Sequence, residues 1–300
     1  MENALVTGGS GMVGRSLNQF RYRPTSDEMD ITNRQSIEQY VASMEAGPSC
    51  IIHLAALNLR DCEKDATRAV RVNINGTTNM LAIAMKLQVS FVLISSGAVF
   101  ASRDPAATFD EECVTNPNCM YGETKAAAEK VALLYDKTIL IRTGWLYGAG
   151  DSKKHHKLVE QAIQKLTSNE CMNCTYDMYG SLTLLEDLTN HMIHLINTKN
   201  YGIHHVVNGG SASALDIVNF IAEKLPDGDA EKYRSLTNSI SNADMGTSAR
   251  SNSEVLITCN TINQLRNWQD ALKEYLLLPK LRQLVRSSGS SIRSSSGNGR

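Results

Sequence analysis

Three side chains near the middle of the sequence have the types and the spacing needed to move a proton. Ser96 ends a strongly apolar run at residues 91–94 that predicts a buried strand, and Tyr121 opens a segment of strong helix formers. Lys125 lies four residues later, so its ammonium group shares a helix face with the phenol. Because a fixed positive charge favours phenolate, we expect Lys125 to lower the pKa of Tyr121. Such a tyrosine can exchange a proton with an alcohol or a ketone near neutral pH, while Ser96 donates a hydrogen bond to the same oxygen.

Glycines near the N-terminus form a second pattern with a chemical meaning. Residues 4–7 predict a short strand, glycines at 8, 11 and 14 follow it, and a helix-compatible segment runs over 15–20. Glycines permit a tight bend and a close backbone approach, and a helix N-terminus favours a pyrophosphate. We therefore expect a dinucleotide against this turn, with a purely structural glycine turn as the alternative.

The segment after this turn bears on which dinucleotide is bound. Residues 20–23 predict a short second strand, and they hold no acidic residue of the kind that binds the ribose hydroxyls in NAD-binding units. Arg21 and Arg23 could instead meet a 2′-phosphate, which favours NADPH over NADH. Two solvated arginines are the alternative.

Alternating strands and helices must position these groups. Strands are predicted at 50–56, 91–96, 138–143 and 205–208, with helices predicted between them, an order that implies a parallel sheet covered on both faces. Small residues at the end of the 50–56 strand would let a cofactor lie against it. His53, inside this strand, is expected to be a packed core histidine. The loop between Ser96 and Tyr121 is long enough to suggest a functional role.

The alternation weakens beyond residue 150, which predicts the domain organisation. Residues 1–150 are expected to form a Rossmann-type, doubly wound α/β domain that binds NAD(P), with the strand near 203–208 returning to it. Residues 151–286 are expected to be mainly a smaller α/β substrate-binding subdomain, in which 226–255 is irregular. The Ser/Gly/Arg-rich residues 287–300 are expected to be disordered.

Bulk composition argues against several classes of protein. The net charge of −1 gives no field that would attract nucleic acid or an anionic membrane, and no apolar run is long enough to span a bilayer. The first residues lead directly into a strand pattern, without a signal-peptide layout. Seven scattered cysteines favour free thiols in a reducing cytoplasm. No metal site is expected, because Cys171 with Cys174, and His191 with His194, lack further ligands at zinc-site spacing.

Five ordered motifs together resemble the extended short-chain dehydrogenase/reductase superfamily. They are Thr-Gly-Gly-Ser-Gly-Met-Val-Gly at 7–14, His-Leu-Ala-Ala at 53–56, Val-Asn-Ile-Asn-Gly-Thr at 72–77, Ser-Ser-x-x-Val-Phe at 95–100 and Tyr-Gly-Glu-Thr-Lys at 121–125. Within the superfamily the chain most resembles the dTDP-4-dehydrorhamnose reductase group. Further matches at 30–32, 109–121, 141–147, 179–188 and 268–276 carry this second resemblance.

The resemblance implies roles for individual residues. Ser96, Tyr121 and Lys125 would be the catalytic residues, and Trp145 would lie over a sugar pocket that Ser96 and Tyr121 also line. Asn73 would order the strand ends near the cofactor, and Lys125 would also hold the nicotinamide ribose. The full set of expected cofactor-binding residues is Gly8, Gly9, Ser10, Gly11, Met12, Val13, Arg23, Asp30, Ile31, Leu54, Ala55, Ala56, Asn73, Tyr121 and Lys125.

Two departures from the reductase pattern concern the substrate. Gly97 and Ala98 stand where these reductases typically carry an Asp and a Tyr, and Cys119 replaces the usual Asn near the tyrosine. The hydride chemistry is expected to be intact, while the sugar is left unspecified.

The resemblance implies NADPH-dependent reduction of the 4-keto group of a dTDP- or UDP-linked 4-keto-6-deoxy sugar, in deoxysugar or rhamnose biosynthesis, with NADH as the alternative cofactor. It also implies a homodimer through the helices that hold Asn73 and Tyr121. Two other functions use the same residues. One is an epimerase of nucleotide sugars with tightly held NAD. The other is a non-catalytic NADP-binding regulatory subunit like that of methionine adenosyltransferase.

Overall fold

The computed structural model describes residues 2–148, 157–225, 229–245 and 251–278. The predicted disordered tail at 287–300 and the predicted domain boundary at 150 lie outside the described residues. None of the described helices is long and apolar enough to cross a membrane.

The described residues form short strands and helices in alternation. The strands are β1 (Leu5–Thr7), β2 (Cys50–His53), β3 (Ser90–Ser96), β4 (Thr108–Phe109), β5 (Thr138–Thr143), β6 (Trp145–Tyr147), β7 (Met172–Thr175), β8 (Tyr179–Gly180), β9 (Leu182–Leu184), β10 (Gly202–His205), β11 (Ala212–Ser213), β12 (Thr237–Ile240) and β13 (Ser253–Leu256). The helices are α1 (Met12–Ser16), α2 (Arg34–Ser43), α3 (Leu59–Lys64), α4 (Ala66–Ala69), α5 (Gly76–Leu87), α6 (Met120–Ala132), α7 (Leu158–Thr167), α8 (Leu185–Thr198), α9 (Ala214–Lys224), α10 (Ala230–Ser235) and α11 (Trp268–Leu276). A π-helical turn, Val70–Asn75, joins α4 to α5, and 3-10 turns lie at Gly97–Val99, Asn242–Met245 and Thr261–Asn263.

The central sheet has five parallel strands in the order β1, β2, β3, β5, β10. The strands β1, β2 and β5 are buried at every position, as expected for a parallel sheet covered on both faces. Tyr22 extends the sheet by one bridge to Leu5, so the second strand expected at 20–23 is reduced to a single residue. The strand β10 pairs in register with β5 and thereby brings a late segment of the chain back to this sheet.

Two separate apolar cores cover the two faces of the sheet. On one face, α1 and α8 bury residues such as Leu17, Leu188 and Leu195. On the other face, the core includes Ile37 of α2 and Met80 of α5, together with apolar residues of α6. The doubly wound α/β fold expected from the sequence is therefore confirmed.

The start of α2 agrees with its local sequence, whereas the helix after the glycine turn is shorter than expected. The side chain of Asn33 accepts hydrogen bonds from the first backbone amides of α2, as expected for an N-cap. The segment expected to be helical over 15–20 is shorter, because α1 starts at Met12 within the glycine turn and ends at Ser16.

The later elements form a smaller α/β unit around a third core. A four-stranded sheet has the order β11, β8, β13, β4, and two strand pairs, β7 with β12 and β6 with β9, lie beside it. Helices α7, α9 and α11 pack into this core. The prediction that 226–255 is irregular is wrong, because α10, β12 and β13 lie within it. The pairing of β13 with β4 and β8 is long-range, so the local sequence pattern does not reveal it.

Candidate active site

A close approach of two backbones brings Ser96 and Tyr121 together. Ser96 ends β3 and caps the 3-10 turn that follows, where its Oγ accepts a hydrogen bond from the amide of Ala98 at 3.2 Å. A Cβ atom added at Gly122 would lie 2.1 Å from the carbonyl oxygen of Ala98, so only glycine lets α6 pack this tightly on the turn. The side chains of Ser96 and Tyr121 are thereby brought next to each other, and the hydroxyl of Ser96 acts to lower the pKa of the phenol.

The pKa of Tyr121 is shifted in the direction opposite to the one expected. Burial raises it to about 12, and the hydrogen bond from Ser96 only partly offsets that effect. Lys125 is itself buried, and burial lowers its pKa to about 8, although the carboxylate of Glu129 acts in the other direction. Its Nζ donates to the carbonyl oxygen of Ile94 at 2.5 Å. The expectation that Lys125 would lower the pKa of Tyr121 is therefore wrong in this arrangement, because burial raises that pKa and Lys125 is not among the groups that shift it.

The first turn of α6 is stabilised by two side chains that are not part of this helix, those of Cys119 and Glu63. The Sγ of Cys119 accepts a weak hydrogen bond from the amide of Gly122 at 3.4 Å, which is the N-cap role. The carboxylate of Glu63, in α3, accepts the amide hydrogen of Met120 at 2.8 Å. A carboxylate at a helix N-terminus is stabilising, so these contacts fix the first turn of α6, which carries Tyr121.

Asn73 connects the end of β2 to the catalytic helix. It is buried in the π-helical turn, and its Oδ1 accepts the amide hydrogen of Leu57 at 2.8 Å. Its Nδ2 donates to Thr124 Oγ1 at 3.0 Å, and this hydroxyl donates to the carbonyl of Tyr121. Asn73 therefore orders the loop after β2, as the resemblance implied, and it also holds the turn of α6 that carries Tyr121 and Lys125.

A cleft of about 470 Å³ runs along the carboxyl ends of β1 and β2. Eight of the predicted cofactor residues line it: Gly8, Ser10, Gly11, Asp30, Ile31, Leu54, Ala55 and Ala56. Its position is where doubly wound sheets bind ligands. The predicted residues thus converge on one elongated cleft.

The glycine turn has the shape that a dinucleotide needs. Gly8 has a φ of +68°, and an added Cβ would lie 2.7 Å from the amide nitrogen of Ala55. At Gly14 an added Cβ would lie 2.4 Å from the carbonyl oxygen of Gly8. These bare backbones leave the amides at the start of α1 accessible to a pyrophosphate, so the residues present fit a dinucleotide.

A chain of hydrogen bonds beneath the cleft fixes the state of His53. The hydroxyl of Thr7 accepts the amide hydrogens of Leu54 and Ala55, so its own hydrogen goes to His53 Nδ1 at 2.8 Å. The Nε2 of His53 then donates to Thr77 at 3.2 Å. Burial lowers the pKa of His53 to about 3, so the ring is neutral. His53 is the packed core histidine that the sequence indicates, and it orders the strand end under the cofactor cleft.

The remaining predicted cofactor residues do not line the cleft. Asn73 lies on the π-helical turn, Tyr121 and Lys125 lie on α6, and the others lie at the glycine turn or beside it. Met12 and Val13 form the first turn of α1 and pack towards the sheet. A Cβ added at Gly9 would lie 3.1 Å from the Cβ of Arg23, so the arginine stem lies under the turn. The Nη1 of Arg23 is 3.5 Å from the carbonyl oxygen of Gly14.

The other arginines near the cleft behave differently from one another. Arg21 forms an exposed ion pair with Glu45, with 2.7 Å between Nη1 and Oε2. Arg68 and Arg71, which the sequence reasoning missed, are exposed and line the cleft opposite the glycine turn. Their spacing of three on a helical segment just before Asn73 was the available signal.

Trp145 and two neighbours form a second surface, in the smaller α/β unit. A Cβ added at Gly180 would lie 2.5 Å from Cε2 of Trp145, so the ring lies flat on the backbone of β8. Glu254, on β13, is the register partner of Gly180. We call Trp145, Gly180 and Glu254 the Trp145 wall. The sequence reasoning missed Glu254, because nothing in the local pattern around it indicates its long-range strand pairing.

The described residues hold no group of three or more His, Cys, Asp or Glu side chains that could bind a metal ion. His191 and His194 lie with their ring centroids 5.8 Å apart, and none of the seven cysteines, all within the described residues, is in a disulfide bond.

Comparison with known proteins identifies the family of this chain. The sequence model described as "RmlD substrate binding domain" matches residues 2–278. A dTDP-4-dehydrorhamnose reductase from Aggregatibacter actinomycetemcomitans is 26% identical over 91% of this chain and 98% of its own length. A dTDP-4-keto-6-deoxy-D-glucose reductase from Streptomyces niveus is 31% identical over 71% of this chain and 75% of its own. The crystal structure of a dTDP-4-dehydrorhamnose reductase from Bacillus anthracis, in complex with NADP, superposes with a TM-score of 0.78 at 26% identity and covers 91% of this chain and 98% of that one.

Proposed function

Because this chain belongs to the RmlD substrate-binding-domain family, within the extended short-chain dehydrogenases/reductases, we propose that it reduces the 4-keto group of a nucleotide-linked 4-keto-6-deoxy sugar with NADPH. The observation that carries the proposal is the half-buried pair of Ser96 and Tyr121, whose side chains interact, with Lys125 one helical turn further along α6. A cleft that fits a dinucleotide lies at the carboxyl ends of β1 and β2 in the same sheet as Ser96.

Tyr121 is the proton donor in this reaction. Its raised pKa keeps the phenol protonated across the physiological range, which is the state needed to protonate the alkoxide that forms at C4. Bound NADPH supplies the hydride. Ser96 donates a hydrogen bond to the carbonyl oxygen and thereby polarises the bond that is reduced. The phenol of Tyr121 can therefore supply a proton to the oxygen on C4, where negative charge develops during the reduction.

The role of Lys125 in this proposal is to bind the cofactor and not to lower the pKa of Tyr121. Its ammonium group lies at the end of β3, anchored to the carbonyl of Ile94. From there we propose that it holds the nicotinamide ribose. The remaining cofactor contacts are assigned to the residues that line the cleft and to Arg23, with Met12, Val13 and Asn73 supporting the lining from behind.

The substrate sugar is assigned to the space between Tyr121 and Trp145. In keeping with this, residues 151–286 are proposed to be mainly the substrate-binding part of the chain, apart from the elements that return to the central sheet. We also propose a homodimer through the helices that hold Asn73 and Tyr121. We propose a reducing compartment, the cytoplasm, in keeping with seven cysteines of which none is in a disulfide bond.

The test is oxidation of NADPH, followed by absorbance, with dTDP- and UDP-4-keto-6-deoxyglucose offered separately, each with and without a 3,5-epimerase. Oxidation with either sugar supports the proposal and identifies the nucleotide. Binding of NADPH without oxidation on any of these sugars contradicts it and favours a regulatory NADP-binding subunit. NAD retained through purification favours the epimerase.

A further inference from the structure

Glu254 faces the turn that carries Ser96. A Cβ added at Gly97 would lie 3.0 Å from the carbonyl oxygen of Glu254, 3.7 Å from its Cβ and 3.6 Å from Cγ of Leu256. Glu254 and Leu256 are two residues apart on β13, so their side chains lie on the same face of the strand. Leu256 packs in one cluster with Val99, the last residue of this turn, and with Ala126 of α6, so that face is directed at the turn and the helix that carry Ser96 and Tyr121.

Strand pairing on both sides fixes the position of Glu254. The strand β13 pairs with β4, where Leu256 is opposite Phe109. It also pairs with β8, where Glu254 is opposite Gly180. The hydroxyl of Ser181 bonds both the amide and the carbonyl of Leu256, at 2.9 and 3.0 Å. The half-buried Glu254 is therefore held between the catalytic turn and the ring of Trp145 by a rigid scaffold.

The carboxylate is near enough to the reacting groups to act on them. Burial and the charge of Glu254 are among the causes that raise the pKa of Tyr121, so the carboxylate and the phenol share one environment. The turn itself supplies only the hydroxyl of Ser96, because Gly97 and Ala98 offer no polar side chain. Glu254 is thus the carboxylate that the scaffold places across the reaction space from Ser96.

We propose that Glu254 is a substrate-positioning residue whose carboxylate accepts hydrogen bonds from the hydroxyl groups of the sugar ring next to the reacting carbonyl. A carboxylate offers only acceptors, and vicinal sugar hydroxyls are donors that can bind it in a bidentate manner. The residue acts on the sugar and not on the nucleotide, because it lies on the Trp145 wall. This inference rests on the proposed function.

The test compares two ligands on the NADP-loaded protein by isothermal titration calorimetry: dTDP alone, and dTDP-rhamnose, which adds the sugar. For Glu254→Gln we expect affinity for dTDP-rhamnose to fall about tenfold, as for loss of a charge-assisted hydrogen bond, with affinity for dTDP unchanged. Glu254→Asp, which keeps the charge, should recover part of the loss. The control is Glu112→Gln, which removes an exposed carboxylate from the loop that follows β4 and should change neither affinity.

Kinetics provide a second readout. For Glu254→Gln, KM for the keto sugar should rise about tenfold, while kcat changes much less, because the lost contact is made in the ground state and in the transition state alike. A residue with a merely structural role would reduce affinity for dTDP and for dTDP-rhamnose equally, and that result would overturn the inference. If the wild-type protein turns over the keto sugar and Glu254→Gln has the same KM and the same affinity for dTDP-rhamnose, the inference is overturned while the proposed function stands. A wild-type protein that neither binds dTDP-rhamnose nor oxidises NADPH would remove the proposed function, and the inference with it.

Discussion

The dinucleotide cleft and the Trp145 wall obtain their residues from the chain in different ways. The cleft is lined mainly by three short stretches, at 7–11, 24–32 and 54–57, each directly at or after a strand end of the central sheet. The Trp145 wall combines residues 145, 180 and 254, which strands of the smaller unit bring together. Cofactor binding is therefore encoded locally, while the surface that would select the sugar depends on long-range pairing and can change without disturbing the cofactor.

The largest expected effect is at Tyr121, where a substitution should strongly reduce catalysis without weakening binding in the dinucleotide cleft. Tyr121→Phe removes the proton donor, so kcat should fall by about 10²–10⁴-fold, the usual contribution of a general acid. Affinity for NADPH, measured by fluorescence titration, should stay nearly unchanged, because the cleft lining is intact. Tyr201→Phe is the matched control, since its hydroxyl bonds Ser90 at the opposite end of β3. Turnover that survives in Tyr121→Phe would exclude the tyrosine as proton donor.

The second prediction concerns the floor of the cleft and its dependence on pH. The pKa of His53 is lowered to about 3 by burial, below its value of about 6.5 in an unfolded chain. The unfolded chain therefore binds the extra proton between these values, so this contribution to stability is present above pH 6.5 and is lost as pH falls towards 3.

The measurement is urea unfolding between pH 6 and pH 4. Relative to wild type, His53→Gln should weaken the pH dependence of the free energy of unfolding by about 1.4 kcal/mol per pH unit, the value for one proton. The exposed His194→Gln is the control and should keep the wild-type slope. Equal slopes for wild type and His53→Gln would show that His53 is not held neutral.

The third prediction tests whether the shape of the glycine turn is required. Gly8→Ala places a Cβ 2.7 Å from the amide nitrogen of Ala55 at a φ of +68°. We expect a cost of roughly 1–3 kcal/mol in the free energy of unfolding, as for other strained positive-φ positions. Affinity for NADPH should also fall, because the strand end must move into the cleft. Gly47→Ala is the control, since a Cβ there meets no atom within 4 Å. Gly8→Ala with wild-type stability and affinity would contradict this account.

The sequence predicts what is local and misses what depends on packing between distant segments. The glycine turn and the set of Ser96, Tyr121 and Lys125 follow from spacing and residue type alone, while the sequence leaves Thr32 and Asn33 as alternatives for the N-cap of α2, of which the structure has Asn33. The direction of the Tyr121 pKa shift could not be predicted, because it depends on how deeply α6 packs on the turn at Gly97–Val99. Glu254 was missed for a related reason: its strand is recognisable only once β4 and β8 are placed beside it.

The smallest expected effect concerns the choice between NADPH and NADH, which depends on where the 2′-phosphate binds. Arg23 directly follows Tyr22, whose carbonyl accepts the amide hydrogen of Val6 at the edge of the sheet. This position, at the carboxyl end of a second strand, is where a 2′-phosphate is met in dinucleotide folds. Arg23→Ala should therefore weaken NADPH binding about tenfold, as for loss of one charge-assisted contact, and leave NADH binding nearly unchanged. The control is Arg21→Ala, because that guanidinium is already paired with Glu45 on the surface and its loss should affect binding of neither dinucleotide.

Equal losses of affinity for NADPH and NADH in Arg23→Ala would mean that the arginine supports the turn as a whole. A selective loss in Arg71→Ala instead would assign the 2′-phosphate to the opposite side of the cleft, where Arg68 and Arg71 lie.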